Sequence, residues 1–330
     1  MKLLVIGCGS IGERHIRNLK NISKQNEIFV FDKNKERLRL VEKKYKAIPI
    51  SNLSKVLLKE RFKGALICTP PNSHIEFAKK FIEHNIPLFI EKPLSHNYNE
   101  VDNLVKKIGK KKIPVLIGYN LHFHPGLILV KKFLKKNKIG RLLSVRIEAG
   151  QYLPDWHPWQ DYRKSYTARR KSGGGIILDG SHEIDYLIWL LNAKPTKIFC
   201  FADKISDLEV ETEDTAEILL KFNTGTIANI HLDFIQRAYS RSARLIGTEG
   251  TIIWDYPTNK VKLYEAKNGK WQIFNLEFKP NDMYLEEMKH FLKIIRGIEK
   301  PKITLKEGSD VLKITLLTKT SAKFKKVINL

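Results

Sequence analysis

Residues 2–12 read KLLVIGCGSIG, an apolar stretch that runs directly into glycines at positions 7, 9 and 12. The spacing is G-x-G-x-x-G, and the residues that follow have a helical period. The first glycine of such a motif permits a tight turn, the second lets the backbone approach a pyrophosphate, and the third lets the helix pack against the strand. The motif predicts a dinucleotide-binding unit; a glycine turn that binds no nucleotide is the alternative.

The next apolar stretch, EIFVFD, ends at Asp32. A carboxylate at this distance from the glycines accepts hydrogen bonds from the adenosine ribose and repels a 2′-phosphate. Asp32 therefore favours NAD as the cofactor, whereas the nearby Lys33, Lys35 and Arg37 would tolerate NADP.

The order of the predicted elements changes once along the chain. Up to about Gly118, short apolar strands alternate with amphipathic helices, which is typical of a parallel sheet covered on both faces. After Pro125, strands follow one another with turn sequences such as NTG and TEG between them. We predict an α/β protein in which residues 1–120 form a doubly wound Rossmann domain and residues 121–330 form an α+β domain with a large, mostly antiparallel open sheet.

Composition restricts the class of protein. The chain has 59 Lys and Arg against 35 Asp and Glu, a net charge of +24, but these cations are spread along the whole sequence. No nucleic-acid recognition motif accompanies them, so a lysine-rich surface is favoured over nucleic-acid binding, and steering of anionic ligands stays open. No stretch approaches the roughly 20 apolar residues of a membrane helix. Three cysteines without paired spacing argue against a disulfide framework or a zinc site and fit a reducing cytoplasm.

Two segments fall where parallel strands are predicted to end. ICTPPNSH and LFIEKP each follow an apolar strand, and ligands of doubly wound sheets bind beyond the carboxyl ends of strands. Lys92, which is followed by a proline, is therefore expected to point toward the nicotinamide. A lysine in a surface turn is the alternative.

A third segment, SGGGIILDGSHEIDYLIWLL, carries Asp179, His182 and Asp185 at intervals of three residues. We predict one helix from about residue 176 to residue 192, and this spacing puts all three side chains on one side of it. Burying three ionisable groups is costly unless they have a purpose, so together they indicate a functional site. An exposed polar stripe is the alternative.

Taken together, these motifs resemble the Gfo/Idh/MocA family of NAD(P)-dependent oxidoreductases, along the whole chain. The resemblance includes the glycine loop, TPPNSH, EKPL, IGYN, the GGG helix with its histidine, and IGTEGTI. It implies oxidation or reduction of a sugar or polyol carbon, with Lys92 on the reacting oxygen, His182 as the general acid/base and Asp179 as its carboxylate partner. It also implies a cis Lys92–Pro93 peptide bond and a homodimer or homotetramer.

The sequence departs from this family at two positions. Asp179 lies three residues before His182 rather than four, and His122 stands where an arginine often follows YN. The expected cofactor contacts are Gly7, Gly9, Ser10, Ile11, Gly12, Asp32, Thr69, Pro70, Asn72, His74, Glu91, Lys92 and Asn120. The expected substrate contacts are Lys92, Tyr119, His122, Tyr152, Trp159, Arg163, Tyr166, Arg169, Asp179 and His182. No metal site is expected.

Residues 152–175 suggest the type of substrate. This segment alternates aromatic residues with arginine and lysine, which suits the apolar face of a sugar and an anionic group. We expect a sugar acid or a nucleotide-linked sugar; a packing or dimer-contact loop is the alternative. Two other functions stay open, an NAD-retaining glycoside hydrolase or lyase that uses transient oxidation, and a non-catalytic NAD-binding regulator.

Overall fold

The computed structural model describes residues 1–330, which form two compact units. The first unit contains residues 1–120 and 280–310, and the second contains residues 121–279 and 311–330. Segment 280–310, which the sequence analysis assigned to the second domain, thus belongs with the first. No helix in either unit combines the length and the apolar character needed to cross a bilayer.

The first unit is built on a six-stranded sheet. Its strands are all parallel, in the order β3-β2-β1-β4-β5-β6. They are β1 Lys2–Ile6, β2 Glu27–Phe31, β3 Ile48–Pro49, β4 Gly64–Ile67, β5 Leu88–Glu91 and β6 Val115–Gly118. The helices of this unit are α1 Ser10–Ile22, α2 Lys35–Tyr45, α3 Leu53–Lys59, α4 His74–Glu83, α5 Val101–Lys111 and α10 Asp282–Ile295. The predicted Rossmann sheet is confirmed.

Burial explains why these segments are strands. Every residue of β4, β5 and β6 is buried, as expected for parallel strands covered on both faces. The strand order reverses between β1 and β4, and the carboxyl ends of strands beside such a reversal form the ligand-binding edge. The glycine loop follows β1, and Lys92 follows β5.

Helix α10 packs within the first unit through aromatic contacts. The Arg14 guanidinium of α1 lies 4.3 Å from the ring centre of Tyr284, and the rings of Phe89 and Phe291 are 5.9 Å apart. Gly64 provides room for this packing, since a Cβ there would lie 3.1 Å from the Phe291 ring. These long-range contacts between distant parts of the sequence place α10 against the Rossmann fold.

The second unit is built on a nine-stranded sheet in the order β14-β13-β12-β11-β7-β10-β9-β8-β15. Its neighbours are antiparallel except β7 and β10, which are parallel. The strands are β7 Leu142–Gly150, β8 Pro195–Asp203, β9 Thr215–Phe222, β10 Ile227–Asp233, β11 Ser240–Gly247, β12 Gly250–Asp255, β13 Lys260–Glu265, β14 Lys270–Asn275 and β15 Ile328–Asn329. The predicted, mostly antiparallel sheet is confirmed.

Helices cover one face of this sheet. They are α6 Pro125–Lys135, α7 Leu153–Trp156, α8 Ile176–Asp179, α9 Ser181–Leu191 and the part of α11 Leu305–Phe324 that follows residue 310. Alternation along β9 shows the two faces, with Ile218 and Leu220 buried and Leu219 exposed. The cysteines Cys8, Cys68 and Cys200 are buried and free.

Candidate active site

The glycine loop of the first unit has the shape that a dinucleotide requires. Gly7 has φ +90°, and a Cβ there would lie 2.6 Å from the Cys68 carbonyl oxygen. A Cβ on Gly12 would lie 1.9 Å from the Gly7 oxygen, so the helix can approach the strand only with glycine at this position. A Cβ on Gly9 would meet only the Arg37 side chain, at an ordinary contact distance of 3.6 Å. Two glycines thus close the turn and the third leaves room for a ligand.

Helix α1 begins directly after this loop, with Ser10 and Ile11 in its first turn. Its N-cap is Gly9, and no side chain caps its first N–H groups. Uncapped N–H groups and the helix dipole favour a phosphate there. Together with the Arg37 side chain beside Gly9, they fit the pyrophosphate of a nicotinamide dinucleotide.

Asp32 joins the end of β2 to the glycine loop. Its Oδ2 accepts a hydrogen bond from the Cys8 N–H at 2.6 Å, and its Oδ1 accepts one from the Asn34 N–H at 2.8 Å. The carboxylate is therefore held beside the loop, where the sequence predicted contact with the adenosine ribose. Arg37 extends over Gly9 from α2 and brings a positive charge to the same place.

The loop after β4 is tied to the loop after β5 by His74. One ring nitrogen of this buried histidine lies 2.7 Å from the Thr69 oxygen and the other lies 3.0 Å from the Pro93 oxygen. Burial lowers the pKa of His74, against the opposing effect of these carbonyls. Since both ring nitrogens face protein carbonyls, His74 positions the two loops. Pro70 and Asn72, in the loop after β4, are exposed.

Lys92 follows the last residue of β5 and is partly exposed, and the Lys92–Pro93 peptide bond is cis, as predicted. The preceding Glu91 is buried, and its carboxylate binds His15 of α1 at 2.6 Å. The side chain of Glu91 is therefore committed within the protein, which leaves its main chain as the part available to a nucleotide.

Tyr119 and Asn120 follow β6 and are buried. The Asn120 Oδ1 has no hydrogen-bond donor within the protein. An unsatisfied buried acceptor at the ligand-binding edge is costly unless a ligand supplies a donor, and the carboxamide of nicotinamide carries one. The residues present therefore fit the cofactor that the glycine motif predicts.

The second unit holds the Asp179 segment, whose helical structure differs from the sequence prediction. The predicted single helix is interrupted at Gly180, so Asp179 ends α8 whereas His182 and Asp185 lie on α9. A Cβ at Gly180 would lie 2.7 Å from Leu232 and 2.8 Å from the Ile176 oxygen, so the chain turns where only glycine fits. The periodicity alone did not reveal this break.

Asp179, His182 and Asp185 are all buried, which excludes the exposed polar stripe. Asp179, His182 and Asp185 are 7%, 8% and 3% exposed. The Asp179 carboxylate accepts hydrogen bonds from the Tyr166 hydroxyl at 2.8 Å and from the Thr167 hydroxyl at 2.9 Å. Two hydroxyl donors compensate for the loss of solvent around this carboxylate.

His122, the residue at the second departure from the family, binds Asp185. Its Nε2 lies 2.9 Å from the Asp185 Oδ2, and its ring stacks on Trp189 at a centroid distance of 4.4 Å. Spacing along the sequence did not predict this pair, because the two residues are 63 positions apart.

The arginines expected to bind an anion have acidic partners of their own. Arg163 pairs with Asp161 at 2.8 Å and with Glu209 at 3.1 Å, and Arg169 pairs with Glu211 at 2.7 Å. These ion pairs are exposed, so they cost little to open. Trp159 is 75% exposed and lies outside the buried cluster.

Tyr152 has a different cationic neighbour, Arg237, which is not among the predicted substrate contacts. The Arg237 guanidinium lies 3.6 Å from the centre of the Tyr152 ring, and no carboxylate pairs with it. Both residues lie just beyond the adjacent ends of the parallel strands β7 and β10. An arginine stacked on a tyrosine keeps its N–H groups available for an anionic ligand.

Sequence profiles of two related domains match this chain. "Oxidoreductase family, NAD-binding Rossmann fold" matches residues 1–119, and "GFO/IDH/MocA C-terminal domain" matches residues 128–253. Among curated proteins, the chain is 27% identical to the myo-inositol 2-dehydrogenase of Thermotoga maritima over 100% of this chain and 98% of that protein. It is 23% identical to the scyllo-inositol 2-dehydrogenase (NAD(+)) of Bacillus subtilis over 92% of this chain and 89% of that protein.

Solved structures have the same fold. The WlbA dehydrogenase of Bordetella pertussis, in complex with NADH and UDP-GlcNAcA, aligns with a TM-score of 0.84 and 20% identity over 100% of this chain and 97% of that one. The myo-inositol 2-dehydrogenase of Lactobacillus plantarum aligns with a TM-score of 0.86 and 20% identity over 100% of this chain and 99% of that one. The chain belongs to the GFO/IDH/MocA oxidoreductases, and its first domain is their NAD-binding Rossmann domain.

Proposed function

We propose that this dehydrogenase transfers a hydride between nicotinamide C4 and a carbinol or carbonyl carbon of a sugar or cyclitol. The observation that carries the proposal is the buried group of Asp179, His182 and Asp185, because ionisable side chains are costly to bury and clusters of them are characteristic of functional sites. The inositol dehydrogenases among its relatives support a polyhydroxylated ring as the substrate.

The proposed roles follow from the charge that moves in the reaction. When bound, the nicotinamide accepts or returns the hydride. An alcohol that loses hydride must also lose its hydroxyl proton, and we assign His182 as the base that takes it. The ammonium of Lys92 stabilises the developing alkoxide, and Asp179 is assigned to orient His182. The two hydroxyl donors on Asp179 fix that carboxylate in one position.

We further propose that the substrate carries an anionic group, as in a sugar acid or a nucleotide-linked sugar. The UDP-GlcNAcA complex of the WlbA dehydrogenase supports such a ligand in this fold. Arg237 is the preferred anion contact, because Arg163 and Arg169 already pair with carboxylates.

A substrate panel tests the function. Purified protein is incubated with NAD⁺ and, separately, with myo-inositol, scyllo-inositol, glucuronate, gluconate, UDP-GlcNAc and UDP-GlcNAcA, and absorbance at 340 nm is followed. Net NADH formation is expected, with the acidic compounds preferred and Arg237→Gln reducing that preference. Preference for neutral inositols would remove the anionic group from the proposal. Substrate turnover without net NADH would instead favour the NAD-retaining hydrolase or lyase.

We also propose that the chain forms a homodimer or homotetramer. The sheet face opposite the helices exposes apolar side chains on neighbouring strands, with Phe201 62%, Leu219 46% and Ile227 53% exposed. Apolar side chains that cluster on one sheet face are characteristic of protein interfaces. Sedimentation equilibrium of the purified protein is expected to give a molar mass that is a multiple of the 38.3 kDa chain. Leu219→Lys is expected to lower this molar mass.

A further inference from the structure

Three buried ionisable side chains of the first unit have no part in the mechanism above. His15 of α1 and Glu287 of α10 are 0% exposed, and Glu91 at the end of β5 is 7% exposed. Buried charged groups of this kind are expensive to maintain, so their arrangement calls for a physical reason.

Glu91 connects helix α1 to the peptide group of Lys92. Its Oε1 lies 2.6 Å from the His15 Nε2, and its Oε2 accepts a hydrogen bond from the Lys92 N–H at 3.1 Å. Gly118 on the neighbouring strand leaves room for the carboxylate, since a Cβ there would lie 3.1 Å from the Oε2. Both carboxylate oxygens of Glu91 therefore have a partner: His15 contacts Oε1, and the Lys92 N–H donates to Oε2.

Glu287 differs from Glu91 in having no hydrogen-bond partner for either carboxyl oxygen. Burial, and secondly the charge of Glu91, raise the pKa of Glu287 well above its ordinary value of 4.5. Glu287, whose carboxyl has no donor to stabilise a negative charge, keeps its proton. Of the two glutamates, Glu91 is the one with hydrogen-bond partners, and one of these partners is the Lys92 peptide.

This connection reaches the cofactor site because helix α1, which carries His15, begins at the glycine loop. His15 lies on the second turn of α1, so its bond to Glu91 joins the phosphate-binding end of the cofactor site to the strand that carries the lysine. A chain of two hydrogen bonds, from His15 to Glu91 and from Glu91 to the Lys92 peptide, spans the carboxyl edge of the sheet.

We propose that Glu91 is a positioning residue that acts through Lys92: held by His15, its carboxylate fixes the Lys92 backbone so that the amine is aimed at the reacting oxygen. The inference rests on the proposed catalytic role of Lys92. A displacement of about 1 Å in a group that orients the substrate can cost roughly 100-fold in rate. Glu91→Gln, which removes the charge that holds His15, is expected to slow hydride transfer by roughly 10- to 100-fold.

A double-mutant cycle distinguishes positioning from simple stabilisation of the fold. Single-turnover NADH formation is measured for wild type, Glu91→Gln, Lys92→Ala and the double variant, using the best substrate of the panel. If Glu91 acts through Lys92, the double variant is no slower than Lys92→Ala. Losses that multiply in the double variant, or full rate in Glu91→Gln, would overturn the inference. Glu287→Gln is the matched control: the same carboxyl-to-amide change in the same cluster, with the rate expected to stay within about 3-fold.

A second measurement requires no substrate. Acetic anhydride labels lysines, and peptide mass spectrometry gives the labelling rate of Lys92 with and without saturating NADH. NADH is expected to protect Lys92 in wild type and in Glu287→Gln, and to protect it several-fold less in Glu91→Gln, each protein being labelled at an NADH concentration that saturates it. Equal protection in all three proteins would contradict the positioning role.

The outcomes separate this inference from the proposed function. Full activity of Lys92→Ala would refute the catalytic role of the lysine and with it the inference. An inactive Lys92→Ala beside a fully active Glu91→Gln would refute the inference alone. If Glu91→Gln does not fold, the double replacement His15→Gln/Glu91→Gln keeps a neutral hydrogen-bonded pair, and the same loss of rate and of Lys92 protection is expected of it.

Discussion

Replacing Glu287 by glutamine should stabilise the protein, and the gain should increase with pH. Glu287 is fully buried, its carboxyl has no hydrogen-bond partner, and its pKa is raised well above the ordinary 4.5. Above pH 4.5 the unfolded chain therefore releases a proton that the folded chain must keep. Stability linked to this group is complete below pH 4.5 and decreases as pH rises toward the raised pKa, by about 1.4 kcal/mol per pH unit.

Glutamine has no proton to keep, so the variant lacks this pH dependence. Urea unfolding at pH 5, 6 and 7 gives the free energy of unfolding of both proteins. The difference in favour of Glu287→Gln is expected to grow by about 1.4 kcal/mol per pH unit. Glu36→Gln, on the exposed side of α2, is the control and should show no such trend. A difference that stays constant or shrinks with pH would show that Glu287 is ionised in the folded chain.

Three further predictions use other parts of the structure. Gly12→Ala should abolish NADH binding, measured by NADH fluorescence, because its Cβ would lie 1.9 Å from a loop carbonyl; Gly109→Ala, with nothing within 4 Å, should bind normally. Arg241→Met should lower the urea-unfolding free energy by about 3 kcal/mol, since it leaves buried Glu183 without the cation 2.9 Å away. Burial lowers the pKa of His124 to about 4, so wild type loses stability as pH falls below 6.5. His124→Asn should gain about 1.6 kcal/mol on wild type between pH 6.5 and 5. A difference in unfolding free energy that stays constant over this range would refute the prediction.

The sequence predicted the sheets better than the boundaries between elements. The parallel strands could be recognised because they are buried on both faces and read as continuous apolar runs. Strand β3 has only two residues, and β14 is mostly exposed, so neither leaves a clear hydrophobic pattern. The break at Gly180 is a packing effect, set by Leu232 on another strand, and local periodicity carries no sign of it.

Residues of the candidate site could be predicted from the sequence where they belong to a local motif. The glycine loop, Lys92 and the Asp179 segment each have a local pattern, and the cis Lys92–Pro93 bond followed from the resemblance. The partners of these residues were not predictable in the same way. His15 binds Glu91 across 76 positions, and His122 binds Asp185 across 63, so these pairs exist only once the chain is folded.

The most direct test of the account follows the hydride itself. The best substrate of the panel, deuterated at its reacting carbon, is incubated with NAD⁺ and either wild type or Lys92→Ala, and the nucleotide is analysed by mass spectrometry and absorbance at 340 nm. One deuterium at nicotinamide C4 for each substrate oxidised is expected, with the rate of Lys92→Ala reduced by roughly 100-fold or more. Substrate conversion without deuterium in the nucleotide would contradict direct hydride transfer, and an undiminished rate in Lys92→Ala would contradict the role of the lysine.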